Sequence, residues 1–158
     1  PQFVRLIARS ANVEGAGAVP VRELVRQALR MRPDRVVVGE VRGAEVCELL
    51  SALNTGHDGG AGTVHANSPT EVPARLEALG ALGGLSRTAL HSQLAAEVQV
   101  VLHMRRQRTG GRRLAEVGVL DRTGDIVRVV PAWREGRWLA AREALADLLA
   151  TRGVDSPW

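Results

Sequence analysis

The order strand, helix, strand between Pro33 and Ala66 constrains this chain most, because two strands joined through a helix lie parallel and need a crossover. Val36, Val37 and Val38 form a β-branched run after the turn-forming Pro33 and Asp34. Such a run suits a strand buried on both faces of a parallel sheet, and Gly39 ends it. From Ala44 the apolar residues Val46, Leu49, Leu50 and Leu53 recur on one helical face, until Asn54, Thr55 and Gly56 supply a stop. The chain then passes through His57, Asp58, Gly59 and Gly60 into a second strand expected over Gly62 to Ala66, with His65 at its end beside Asn67.

Open α/β sheets carry their chemistry outside the carboxyl ends of the strands. Glu40 and Arg42 fall in the strand-to-helix loop, and right-handed crossovers lead us to expect Glu40, Arg42, His57 and His65 along a single crevice. A carboxylate there orients water or a metal ion, while arginine and histidine stabilise charge developing on phosphates. Blander alternatives stand beside this reading. Glu40 is then a surface carboxylate, Arg42 pairs with Glu45, and both histidines are satisfied structural residues.

The run RMRPDRVVVGEVRGAE followed by NTGHDGGAGTVHANSP resembles the Walker B region and histidine box of the type II/IV secretion ATPases, in particular the Tad/Flp pilus-assembly branch. Upstream, VRLIARSANVEGAGAVPVRELVRQALR resembles the segment preceding Walker B there, so the resemblance runs from about Phe3 to about Met104. It implies a partial RecA-like P-loop NTPase core of α/β class, with a mostly parallel sheet, helices on both faces, C-terminal antiparallel strands and a terminal helix. By the same resemblance Glu40 is the Walker B acid, polarising the attacking water or supporting the water shell of magnesium, and His57 is its catalytic companion. Arg42, His65, Arg5 and Arg9 become nucleotide-phosphate or intersubunit contacts. The complete protein is expected to use ATP and Mg2+, to form a hexamer, to meet inner-membrane platform proteins, and to work in the cytoplasm at the inner face of the membrane.

One departure outweighs the agreements. A P-loop needs a lysine that reaches the terminal phosphate, and all 21 basic residues here are arginine. The phosphate cradle is missing, and the resembled family carries it upstream of the segment where this chain begins. Because the chain starts at Pro1, we expect a C-terminal portion that does not hydrolyse ATP alone. The alternatives are an inactive docking module of the same machinery and, further off, an arginine-rich nucleic-acid-binding domain.

The remainder is expected as follows. Val4 to Ala8 forms a strand, Asn12 to Gly17 a loop, and Val21 to Met31 an amphipathic helix. Ser68 and Ser86 cap helices opening at Pro69 and at Arg87. Glu97 to Met104, Leu114 to Leu120 and Ile126 to Val130 are strands added antiparallel to the sheet, and Leu139 to Ala150 is a terminal helix. Residues 1–104 then belong to the ATPase core and 105–158 to its extension. Cys47 allows no internal disulfide and reads as packing, and no His/Cys/Asp spacing matches a structural zinc site, which leaves His91 and His103 as structural or surface residues. Arg105, Arg106, Arg108, Arg112 and Arg113 gather at a hairpin tip, read as a solvated loop or a contact for an acidic surface. Net charge is +4, but the arginines are otherwise dispersed and aromatic residues are scarce, which argues against nucleic acid.

Overall fold

The computed structural model describes residues 2–57 and 59–155, so Pro1, Asp58 and residues 156–158 lie outside the account. In chain order the elements are α1 (Val21–Arg30), β1 (Val37–Val38), α2 (Glu45–Asn54), β2 (Ala61–Gly62), a 3-10 turn (Pro69–Glu71), α3 (Val72–Leu82), α4 (Arg87–Glu97), β3 (Val100–Arg106), β4 (Arg112–Thr123), β5 (Ile126–Arg134), β6 (Arg137–Trp138) and α5 (Arg142–Thr151). They fall into two compact units. One takes the chain up to Val64 together with Leu79–Leu85, and the other takes His65–Ala78 and everything from Ser86.

The first unit is the expected strand-helix-strand. β1 and β2 run parallel, with Val37 opposite Ala61 and Val38 opposite Gly62. The ladder extends past the short strands: Ala61 N–H donates to Val36 O, Thr63 N–H to Val38 O, and Val41 N–H to Thr63 O. Helix α2 lies on this pair through glycine. A Cβ on Gly62 would sit 2.7 Å from Leu49 Cδ2, and one on Gly60 would sit 2.7 Å from Leu53 Cδ2 and 2.8 Å from Val36 O. Alternate residues share a strand face, so Gly60 and Gly62 leave the floor on which α2 rests. Val36, Val38, Val41, Val46, Leu49, Leu50 and Ala52 form the core. Helix α1 is tied to α2 by Arg22 and Arg26, which both donate to Glu48 Oε1.

Three expectations change here. Val37 is 68% exposed, so the strand is covered on one face only, the side carrying Val36 and Val38. The second strand is shorter and earlier than Gly62 to Ala66, because only Ala61 and Gly62 have β1 residues opposite them. Val4 to Ala8 forms no strand. Phe3, Val4, Leu6 and Ile7 are exposed, and the nearest pairing is the single antiparallel bridge between Arg9 and Val19. Alternating apolar residues make a strand only where another strand offers its backbone groups.

The second unit is dominated by an antiparallel sheet in the order β3-β4-β5-β6. It is a sheet of its own rather than an addition to a mostly parallel one, and it is the larger of the two. Val119, Ala132, Ala141 and Leu145 centre one packing cluster, and Val100, Val117, Val130, Leu148 and Leu149 pack against it. On the opposite face a Cβ on Gly118 would meet Val129 Cγ1 and approach Pro69, so the 3-10 turn packs there. Ser86 Oγ accepts from Ala89 N–H and caps α4 as expected. Ser68 does not cap, because its hydroxyl pairs with Thr70 Oγ1 and the chain takes a 3-10 turn before α3. His91 is buried, its Nδ1 accepting Val127 N–H at 3.0 Å while Nε2 lies 3.3 Å from Glu77 Oε2. It is the structural residue that its isolation suggested.

Candidate functional site

Glu40 and Arg42 occupy the loop that leaves β1 and enters α2. Val41 between them is buried, 3% exposed, and its N–H is held by Thr63 O at 2.7 Å. The anchored valine turns its two neighbours away from the core. Glu40 Oε2 and Arg42 Nη2 are 2.6 Å apart, with the glutamate side chain 29% and the arginine 77% exposed. The Glu40 carboxylate, by hydrogen bond and charge, pushes the Arg42 guanidinium above its ordinary value. The result is a solvent-accessible carboxylate at the carboxyl end of a parallel strand, oriented by a permanent cation.

Glu45 has a different task from the one suggested by the Arg42–Glu45 alternative. Its Oε1 accepts the backbone N–H groups of Arg42 at 2.6 Å and Gly43 at 3.0 Å. An acidic residue in the first turn also suits the positive end of α2. It shapes the loop through the backbone, which leaves the Arg42 side chain to Glu40. Sequence reasoning missed this; an acidic residue two positions after glycine at a helix start was the available signal.

His57, Arg9 and Arg5 take other places in the first unit. His57 follows α2, and its Nδ1 is 3.1 Å from Ala52 O. A carbonyl only accepts, so Nδ1 carries the proton and the ring closes the end of the helix. Because β1 and β2 are parallel, the entrance to β2 where His57 sits is the opposite end of the pair from Glu40 and Arg42. The expectation that His57 shares their crevice is therefore corrected: helix α2 carries the chain back along the strands before His57 is reached. Arg9 donates from Nε to Gly17 O at 2.8 Å inside its own loop, and Arg5 is exposed on the unpaired N-terminal segment.

In the second unit His65, Ala66, Asn67, Glu71, Ala74, Arg75 and Ala78 line an open groove. Asn67 Nδ2 donates to Glu71 Oε2 at 3.0 Å, which fixes the amide. Cys47 is half-buried against Gly80 O, and burial raises its thiol pKa, as its reading as a packing residue requires. No group of three or more His, Cys, Asp or Glu gathers into a metal site among the described residues. The fit to a magnesium nucleotide is thus partial. A carboxylate such as Glu40 has the chemistry to accept hydrogen bonds from magnesium-bound water.

The first unit thus presents an arginine-paired carboxylate beyond the carboxyl end of a parallel strand, the place where open α/β sheets bind their ligands. The profile of the family described as "Type II/IV secretion system protein" matches residues 7–124, and the chain belongs to that family. It is 67% identical over 153 residues to the putative conjugal transfer protein Rv3659c of Mycobacterium tuberculosis, covering 96% of this chain and 44% of that protein. It is 32% identical over 150 residues to the protein VirB11 of Agrobacterium fabrum, covering 92% of this chain and 39% of that one. The crystal structure of the VirB11 ATPase of the Brucella suis type IV secretion system, in complex with sulphate, aligns with a TM-score of 0.54 at 28% identity, over 61% of this chain and 32% of that one. The chain therefore spans less than half the length of these relatives. Among the described residues no helix is long and apolar enough to cross a membrane.

Proposed function

We propose that this chain is the Walker B and histidine-box portion of a conjugal-transfer or type IV secretion ATPase, which in complete form hydrolyses ATP with Mg2+ as a cytoplasmic hexamer at the inner face of the membrane and drives transfer across it. The observation that carries this reading is the Glu40–Arg42 pair on the loop after β1. Magnesium, when bound, would neutralise charge on the transferring phosphate. Glu40 would hold the attacking water and take its proton, and Arg42 would keep the carboxylate aimed. His57 enters this scheme as the residue that closes α2, while His65, Arg5 and Arg9 are reserved for phosphate or subunit contacts. The conjugal-transfer names of the relatives favour that branch; the Tad/Flp pilus assignment rests on the motif resemblance alone.

A chimaera tests the reading. This chain replaces the matching segment of the Mycobacterium tuberculosis relative, and ATP hydrolysis is compared with and without Glu40→Gln. Loss of a general base costs about 100-fold or more in rate, while nucleotide binding should persist. If the variant hydrolyses as fast as its parent, Glu40 has no catalytic part. If the parent chimaera folds and binds nucleotide but does not hydrolyse it, the chain is instead an inactive docking module.

A further inference from the structure

The hairpin joining β3 to β4 breaks a rule of sheet pairing. Arg105 stands opposite Arg113 and Arg106 opposite Arg112, and like charges directly opposed destabilise a strand pair. Arg108 sits in the turn between them. On one face the repulsion is relieved, because Glu135 Oε1 lies 3.2 Å from Arg105 Nη1 and 2.8 Å from Arg113 Nη2. Arg106, Arg108 and Arg112 have no carboxylate partner among the described residues. Uncompensated breaches of local rules mark functional surfaces.

The face bearing Arg106 and Arg112 can be followed along the ladder. Met104 pairs with Leu114, Leu102 with Val117, Val117 with Trp133, and Trp133 with Trp138. Directly paired residues share a face, as do alternate residues along a strand. Near Val100, Val119 and Val130 this face is covered by α5. Toward the hairpin the cover ends: Leu102 is 61% exposed, Met104 53%, Leu114 37% and Trp138 37%. An apolar band with a tryptophan at its edge thus runs into three unpaired arginines.

We propose that this face docks on an anionic lipid bilayer, with Leu102, Met104 and Leu114 entering the interface, Trp138 at headgroup depth, and Arg106, Arg108 and Arg112 on lipid phosphates. Apolar side chains beside a basic rim, with tryptophan between, are what an interfacial surface requires. Nucleic acid would use the arginines but leave the aliphatic band without a partner. The proposal supplies a surface for the peripheral membrane location proposed above, and it is independent of the nucleotide chemistry.

The full chain is sedimented with phosphatidylcholine vesicles, with and without phosphatidylglycerol. It should pellet only when the anionic lipid is present. Arg106→Gln, Arg108→Gln and Arg112→Gln together should lower apparent affinity by roughly 100-fold, since each arginine near an anionic surface is worth about a factor of five. Leu102→Ser with Met104→Ser should weaken the binding that survives high salt. Equal binding to neutral vesicles, or none to anionic ones, overturns the proposal. So does salt-sensitive binding to polyglutamate or DNA without vesicle binding, which would assign the surface to an acidic protein or to nucleic acid. The lipid-charge comparison uses the unaltered chain, so it decides even if a variant fails to fold.

Discussion

Gly39, beside the candidate site, and Gly60, at the entrance to β2, should respond to alanine with opposite signs. Both have backbone angles that any residue adopts, since neither carries a positive φ. Removing a glycine therefore stabilises by about 0.4–1 kcal/mol through the unfolded chain, provided that the added methyl finds room. At Gly39 nothing lies within 4 Å of the new Cβ, and the gain should be realised. At Gly60 the Cβ meets Val36 O at 2.8 Å and Leu53 Cδ2 at 2.7 Å. Leu53 has partial freedom to turn away, but Val36 O is backbone and accepts the 3.0 Å hydrogen bond from Ala61 N–H. Relief requires the β1–β2 ladder to part by several tenths of an ångström, an overpacking cost of about 1–3 kcal/mol. With the unfolded-state gain subtracted, a net loss of about 1–2 kcal/mol remains. In a chain of this size each kcal/mol shifts Tm by about 2–4 °C. Thermal unfolding followed by circular dichroism should show Gly60→Ala lowered by about 2–8 °C and Gly39→Ala unchanged or raised. A Gly60→Ala chain as stable as its parent would refute the account of why α2 lies where it does.

The two serines offer a similar contrast. Ser86→Ala removes a real cap on α4 and should cost about 1 kcal/mol, whereas Ser68→Ala removes none and should be close to neutral by the same unfolding measurement. Cys47 should react slowly with iodoacetamide at neutral pH compared with a free thiol, because burial raises its pKa and depletes the thiolate. A thiol pKa raised by folding adds stability that is complete below the unfolded value and is lost as pH rises through the folded one. Denaturant midpoints should therefore fall on the alkaline side of pH 9.0, the ordinary thiol value here, and a Cys47→Ala chain should show a smaller fall.

Sequence alone determined what depends on neighbours along the chain. The apolar spacing of Val46, Leu49 and Leu50 fixed α2, Ser86 fixed the start of α4, and alternation fixed the strands on either side of the arginine hairpin. The glycine after Val38 and the charged residues beyond it placed Glu40 and Arg42 in one loop, where the structure pairs them. Tertiary structure decided what depends on partners remote in sequence. Val4 to Ala8 has the pattern of a strand, but among the described residues it finds no strand beside it. Val37 is as β-branched as its neighbours, yet α2 covers only one face of the pair. His57 and Glu40 each adjoin a strand, and only the direction of the returning helix puts them at opposite ends. Arg42 had two acidic neighbours within reach in sequence, and the backbone claimed Glu45 first. Local order follows from propensity and period, whereas pairing, coverage and the company each charge keeps follow from contacts that no window of sequence contains.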